Sequence, residues 1–277
     1  MKKFLLLLGV FIVSFSGIMV RVSESQPSAI AFYRCIIASS LYLVALKGKL
    51  KRFDTKKEAL LLSAGIFLAL HFYFWISSFE HTTVAGAVIP LMVQPFVTSI
   101  IAFLIFGERV NKRQVFATLL VLVGITTMIF LDAKTSLRLS LGDILSLVGT
   151  LFLCGFIIIG RYIIPKIGTL NFNTRSYIIA SLVLLIANHQ TVLQPFPIRE
   201  WLIFLGLGGG CSFLGYTLIN NSLKFFKAGI IAMALVGEPV LSIIWSWILL
   251  EEHITIPQAL GLFTSILGMT MFFRSKF

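Results

Sequence analysis

Two ionisable side chains stand deep inside long apolar runs, and they are the residues most able to do chemistry. Glu238 falls near the middle of the run 228–250. A charge at the centre of a membrane helix costs about 2.5–3.5 kcal/mol, so such residues face a bundle interior or a wet cavity. Glu238 precedes Pro239, and Gln94 precedes Pro95 at the middle of the run 84–106. Proline has no N–H, so the carbonyls of Leu91 and Leu235 are expected to lose their usual helical donor. A polar side chain beside a freed carbonyl makes a midplane substrate or ion site, with the proton as candidate coupling ion. The alternative is a protonated Glu238 that hydrogen-bonds a neighbouring helix, the prolines being simple kinks. Arg34, about two turns into the run 28–46, offers a planar fork for a carboxylate or phosphate. Its alternatives are snorkelling to the interface or pairing with Glu24. His71, Tyr73 and Trp75 lie in one aromatic stretch, with His71 and Trp75 four apart and so on one helical face. They either line a cavity for a ring-bearing substrate or belong to an interfacial aromatic belt.

This chemistry is binding rather than bond-making. No nucleophile–base pair and no metal-ligand spacing is visible, and no cofactor is implied. Gly206 to Gly210 superficially resembles a phosphate loop, but no Lys-Ser/Thr follows it, so close helix packing explains it better. Asn220 and Asn221 are expected to form a cap or turn at the end of their run. His81, His189 and His253 sit at or beyond the ends of runs and are expected at the interface. Cys35, Cys154 and Cys211 are odd in number and lie in apolar runs, so they are expected to pack as small apolar residues.

The elements that must position these residues are membrane helices. Hydrophobic side chains make up 58% and charged ones 12% of 277 residues, and the mean hydropathy is +0.98. A single wetted domain has no place for so much Leu, Ile and Phe. Ten runs are long enough to cross the hydrocarbon core: 4–20, 28–46, 58–78, 84–106, 113–131, 143–163, 173–192, 200–219, 228–250 and 256–273. They are continuously apolar and do not alternate, which predicts helices and excludes a barrel. The first run follows Lys2 and Lys3 without an Ala-x-Ala site, so it is expected to stay as a membrane helix.

The net charge of +12 does not point to nucleic acid, because the cations cluster between the runs. Of the 23 Lys and Arg, eighteen fall on one side: Lys2, Lys3, the Lys47–Lys57 cluster, Arg109, Lys112, Arg113, Arg161, Lys166, Arg175, Lys224, Lys227, Arg274 and Lys276. Arg21, Lys134, Arg138 and Arg199 fall on the other. The positive-inside rule then puts both termini in the cytoplasm.

The chain also repeats itself. A shift of 144 residues sets Pro95 on Pro239, Glu108 on Glu252, Gln114 on Gln258 and Gly124 on Gly268, without a gap from Ser78/Ser222 onward. Five helices per half is an odd number, so the second half enters the membrane from the opposite side. That is an inverted-topology repeat, common in secondary transporters. Residues 1–131 form the first repeat, 132–142 an outer linker and 143–277 the second.

The paired half-sites, Gln94-Pro95-Phe96 … Gly107-Glu108-Arg109-Val110 … Gln114 … Gly124 and Glu238-Pro239-Val240 … Glu251-Glu252-His253-Ile254 … Gln258 … Gly261 … Gly268, resemble the EamA-type repeat. That repeat defines the ten-helix branch of the drug/metabolite transporter superfamily. The resemblance covers the whole chain in two copies, departing from the pattern at Ala117, which stands opposite Gly261. It implies an inner-membrane carrier with a central cavity and alternating access, and it leaves the substrate open. The expected function is secondary active transport, by export, of amino acids or related small metabolites, with the bilayer and a small substrate as partners. One alternative is uptake of a nucleoside-like metabolite such as S-adenosylmethionine. An alternative of another class is a membrane-embedded enzyme acting on a lipid-linked substrate. Pro95, Pro239, Glu108 and Glu252 are the expected gating or helix-breaking residues.

Overall fold

A computed structural model describes residues 2–109, 111–130 and 140–274. Lys134, Arg138, Lys276 and most of the 132–142 linker lie outside the described residues, as does Val110 of the first half-site. Among the described residues ten helices are long and apolar enough to cross a membrane. They are α1 (Lys2–Val22), α2 (Pro27–Ala45), α3 (Thr55–Ser78), α4 (Val84–Phe106), α5 (Lys112–Ile129), α6 (Leu141–Ile167), α7 (Thr169–Ala187), α8 (Ile198–Ser222), α9 (Ala228–Leu250) and α10 (Ile256–Arg274). Each expected run falls on one of them.

The helix ends follow local chemistry. Asp54 caps α3 by accepting from the Lys57 N–H at 3.0 Å, and Ser140 with Asp143 forms a reciprocal capping box at the start of α6. Thr83 caps α4 through the Gly86 N–H. Gly107 ends α4 at φ 65°, a left-handed geometry that costs glycine nothing. The matching position 144 residues on is Glu251, which holds the same geometry at φ 55° with a side chain attached.

Four crossing helices are interrupted among the described residues, the first being α1, which breaks at Ser14–Phe15 between Lys2–Val13 and Ser16–Val22. α4 is an α-helix to Val88, a tight 3-10 turn over Ile89–Val93, and an α-helix again from Gln94. In α9 the break falls at Val236, between Ala228–Leu235 and Gly237–Leu250. One expectation is corrected here. The Leu91 carbonyl is not free, because the 3-10 turn hands it the N–H of Gln94. In α8 the stretch Gly206–Gly215 is a π-helix, flanked by α-helix on both sides.

Packing repeats the inverted symmetry. α3 packs on α6 as α8 packs on α1, while α2 meets α7, α4 meets α9 and α5 meets α10. The α5–α10 contact shows how closely the symmetry is kept. A Cβ on Gly124 would stand 2.6 Å from the Gly261 carbonyl, and one on Gly268 would stand 2.6 Å from the Ala117 carbonyl. Those two contacts interchange under the 144-residue shift, so Ala117 takes its place in the crossing although it departs from the glycine pattern. α9 is the most buried crossing, whereas α5 and α10 are the most peripheral. Large side chains such as Leu104, Phe116, Trp247 and Phe263 point outward, as lipid-facing positions do.

Candidate functional site

Arg34 does not reach the interface. It is 1% exposed on α2. Its Nε donates to Ser212 Oγ at 2.7 Å and its Nη1 to Ser16 Oγ at 2.8 Å. The guanidinium carbon stands 4.1 Å from the centroid of the Phe72 ring and 5.9 Å from that of Trp75. A cation over aromatic faces gains about 2 kcal/mol or more once desolvated. Among the described residues no carboxylate forms an ion pair with Arg34. Glu24, one expected partner, pairs instead with Arg199 at 2.5 Å. Neither snorkelling nor pairing with Glu24 describes this residue.

Glu238 is 4% exposed, and it opens the second segment of α9. Arg34 donates to Ser16 of α1, and Ser242, one turn beyond Glu238, donates to the Ser14 carbonyl of α1 at 2.7 Å, while no ion pair joins Arg34 and Glu238 among the described residues. One cationic and one carboxyl side chain, drawn from opposite halves of the chain, are therefore both buried on helices that bond the same stretch of α1.

The aromatic stretch of α3 divides by helical face. His71 and Trp75 are both buried and stacked, with centroids 6.0 Å apart. His71 Nδ1 lies 3.0 Å from the Gly149 carbonyl on α6. Trp75 is thus part of the interior rather than of a belt, whereas Trp201 and Trp247 remain exposed. Tyr73 points elsewhere, being half-buried with its ring against Phe74. Gln94 is fully buried, and among the described residues neither its amide nitrogen nor its oxygen has a hydrogen-bond partner. His81, His189 and His253 are exposed. Cys35, Cys154 and Cys211 are free and buried.

Away from the centre, Glu108 and Glu252 build the same contact on opposite faces. On the basic face Glu108 Oε1 accepts from Arg161 Nε at 2.8 Å, and its Oε2 accepts from the Ala228 N–H at 3.0 Å. Arg161 Nη1 donates to the Leu223 carbonyl at 3.0 Å. On the other face Glu252 Oε1 lies 3.8 Å from Arg21 Nε and 3.5 Å from the Val84 nitrogen. Arg21 Nη1 donates to the Phe79 carbonyl at 2.9 Å. Glu108 and Glu252, Ala228 and Val84, and Leu223 and Phe79 are each 144 residues apart. Each contact joins the end of α4 or α9 to the other half of the chain. Beside the first is a cavity of about 630 Å³ lined by Arg109, Arg161, Lys166 and Lys227 as well as Glu108. Beside the second is one of about 210 Å³ that includes Arg21 and Glu24.

Sequence reasoning missed Ser16, Ser212 and Phe72, the residues that hold Arg34. A hydroxyl in an apolar run was the only signal for the serines, and such residues usually bond their own helix. Asn220 was expected to cap or turn. It is instead 1% exposed inside α8 and donates to Asn173 Oδ1 of α7 at 2.8 Å. Asn221 accepts from the Thr169 hydroxyl at 3.1 Å.

The model of the EamA-like transporter family matches residues 2–130 and again 140–274. The chain is 23% identical over 246 residues to the pseudopaline exporter CntI of Pseudomonas aeruginosa, covering 88% of this chain and 84% of that one. It is 24% identical over 257 residues to an uncharacterized transporter, YyaM, of Bacillus subtilis, with 88% and 83% covered. A solved crystal structure shares its fold, at a TM-score of 0.79 and 14% identity over 99% of this chain and 98% of the other.

Proposed function

The chain belongs to the EamA-like transporter family, and we propose that it exports small zwitterionic metabolites, amino acids first among them, by alternating access around Arg34 and Glu238. The observation that carries this reading is the pair itself. A guanidinium and a carboxyl from opposite halves of the chain are both buried, on helices that bond the same stretch of α1, and they form no ion pair with each other among the described residues. A substrate carboxylate fits the guanidinium fork, and a substrate ammonium fits the carboxyl. Phe72 and Trp75 supply the apolar wall. Export accords with the relative that is an exporter.

The cycle needs two closed mouths and one binding centre. Arg34, His71, Gln94 and Glu238 are all at most 4% exposed, which suits an occluded state. The Glu108 and Glu252 contacts serve as latches, since opening either separates the halves at one face only. The broken helices α4 and α9 supply the bend, in keeping with interrupted helices at transporter midplanes. Glu238, the buried carboxyl that opens the second segment of α9, is the site where a proton would bind and leave. The charge bias supports a cytoplasmic side for both termini and the basic latch.

Counterflow in proteoliposomes tests the reading with a panel of amino acids, S-adenosylmethionine and a lipid-linked sugar. Exchange confined to zwitterionic amino acids supports it. Exchange of S-adenosylmethionine alone favours a nucleoside-like uptake carrier, and turnover of the lipid without exchange of any solute overturns transport of this class. Orientation is checked by a single cysteine at Lys51, which should be silent to an impermeant maleimide added outside intact cells.

A further inference from the structure

The wide turns of α8 sit against Arg34, and a buried polar chain reaches them from two other helices. Tyr42 is fully buried on α2, eight residues and two turns beyond Arg34 and so on the same face. Its hydroxyl donates to the Ser212 carbonyl at 2.9 Å, with the Phe213 carbonyl 3.2 Å away. The direction of that bond is fixed from behind. Asn220 Nδ2 donates to Asn173 Oδ1 at 2.8 Å, and Asn173 Nδ2 donates to the Tyr42 oxygen at 2.8 Å. Tyr42 is left with its proton for α8. The Thr217 hydroxyl lies 3.0 Å from the same oxygen. Within membrane depth every such group must be satisfied by protein, so this chain holds its geometry closely.

The far end of the chain is the substrate centre. Ser212 offers its carbonyl to Tyr42 and its hydroxyl to Arg34 Nε. It lies inside the π-helix Gly206–Gly215, a conformation that is rare and gathers at functional sites. Close approach is built in, because a Cβ on Gly208 would stand 3.1 Å from the Arg34 carbonyl and 2.7 Å from Ile37. A return of this segment to α-helical turns would rotate Ser212 away from Arg34.

We propose that Tyr42 is a positioning residue: by gripping the Ser212 carbonyl it keeps the Ser212 hydroxyl on Arg34 and so sets the plane of the guanidinium that receives the substrate carboxylate. This rests on the reading of Arg34 as the carboxylate site. Tyr42 touches no substrate. It acts on one substrate group and leaves the rest of the molecule's recognition alone.

The test uses the full-length protein in proteoliposomes with two probes, L-phenylalanine and phenethylamine, which lacks the carboxylate. Tyr42→Phe should raise the KM for phenylalanine about tenfold, the size expected for one lost bond to a charged group's partner, with Vmax within about twofold. Phenethylamine should be unaffected. Ser212→Ala should give the same selective loss, and the double variant should be no worse than either, since both break one chain. Equal loss for both probes, or additive losses, overturns the proposal and leaves Tyr42 a packing residue. An unchanged KM for phenylalanine in Arg34→Lys overturns the carboxylate reading of Arg34 instead. If Tyr42→Phe does not reach the membrane, Asn173→Ala removes the donor behind it and must show the same selectivity. If the wild type exchanges neither probe, the substrate class falls. Alkylation of Cys211 by N-ethylmaleimide, with Cys35→Ser and Cys154→Ser, then decides the remainder. Tyr42→Phe should speed it several-fold, and equal rates overturn the grip on α8.

Discussion

The two halves of this chain hold the same latch, and one copy is closed more tightly than the other. On the basic face Glu108 is 11% exposed, with its carboxylate bonded at 2.8 Å and 3.0 Å. On the opposite face Glu252 is 22% exposed and Arg21 38%, with contacts of 3.8 Å and 3.5 Å. A hydrogen bond to a charged group is worth about 1.5–3 kcal/mol, whereas a loose and solvated ion pair is worth about 0–1 kcal/mol. Under the proposed alternating-access reading the inverted repeat supplies two gates of one design, and their unequal geometry favours closure of the basic mouth. The centre shows the same kind of difference. Glu238 stands where the first half has Gln94, so only one half can carry a titrating group. Under the same reading these departures from symmetry make the two end states unequal in free energy.

Removing the central difference should have the largest effect. Glu238→Gln makes the halves alike at that position, and uptake driven by an imposed pH gradient should fall to the rate without one. Equal gradient responses in the variant and the wild type would detach Glu238 from coupling. Loss of binding with the gradient response kept would make it a substrate ligand.

The latches come next. Arg161→Gln should speed alkylation of a single cysteine at Ser99, beside Glu108 and Gly229, by about tenfold for one charged hydrogen bond. The exchanged pair Glu108→Arg with Arg161→Glu should recover part of that protection. Recovery stays incomplete, because arginine cannot accept the Ala228 N–H.

Arg21→Gln breaks the looser copy, and a cysteine at Ile30 beside the outer cavity should gain no more than about twofold, as for an exposed pair. A gain as large as that of Arg161→Gln would erase the distinction between the two faces.

The smallest effect belongs to the helix ends. Glu251 holds a left-handed backbone where the first half uses Gly107. Glu251→Gly should raise the thermal midpoint of the purified protein by an amount corresponding to about 1 kcal/mol, the steric cost it removes. A fall in the midpoint would mean that the Glu251 side chain stabilises that turn.

The sequence determined the ten crossings, their inverted pairing and the breaks in α4 and α9, but not those in α1 and α8. Each is written in local or periodic features, such as apolar length, a proline without its N–H, or a motif repeated after 144 residues. It marked Arg34, His71, Trp75 and Glu238 one at a time, because a charge or ring in lipid is costly wherever it stands. The meeting of Arg34 with Phe72 and Trp75, and of the Arg34 and Glu238 helices with one stretch of α1, was decided only by tertiary structure. Arg34 lies about two hundred residues from Glu238 in the chain, and no period relates them. Tyr73, two residues from both His71 and Trp75, turned out to lie on another face of α3, which helical geometry permits and hydropathy does not register. Ser16, Ser212 and Tyr42 could not be picked out at all. In a run of apolar residues a hydroxyl most often bonds its own helix, and it becomes part of a site only when another helix brings it a partner.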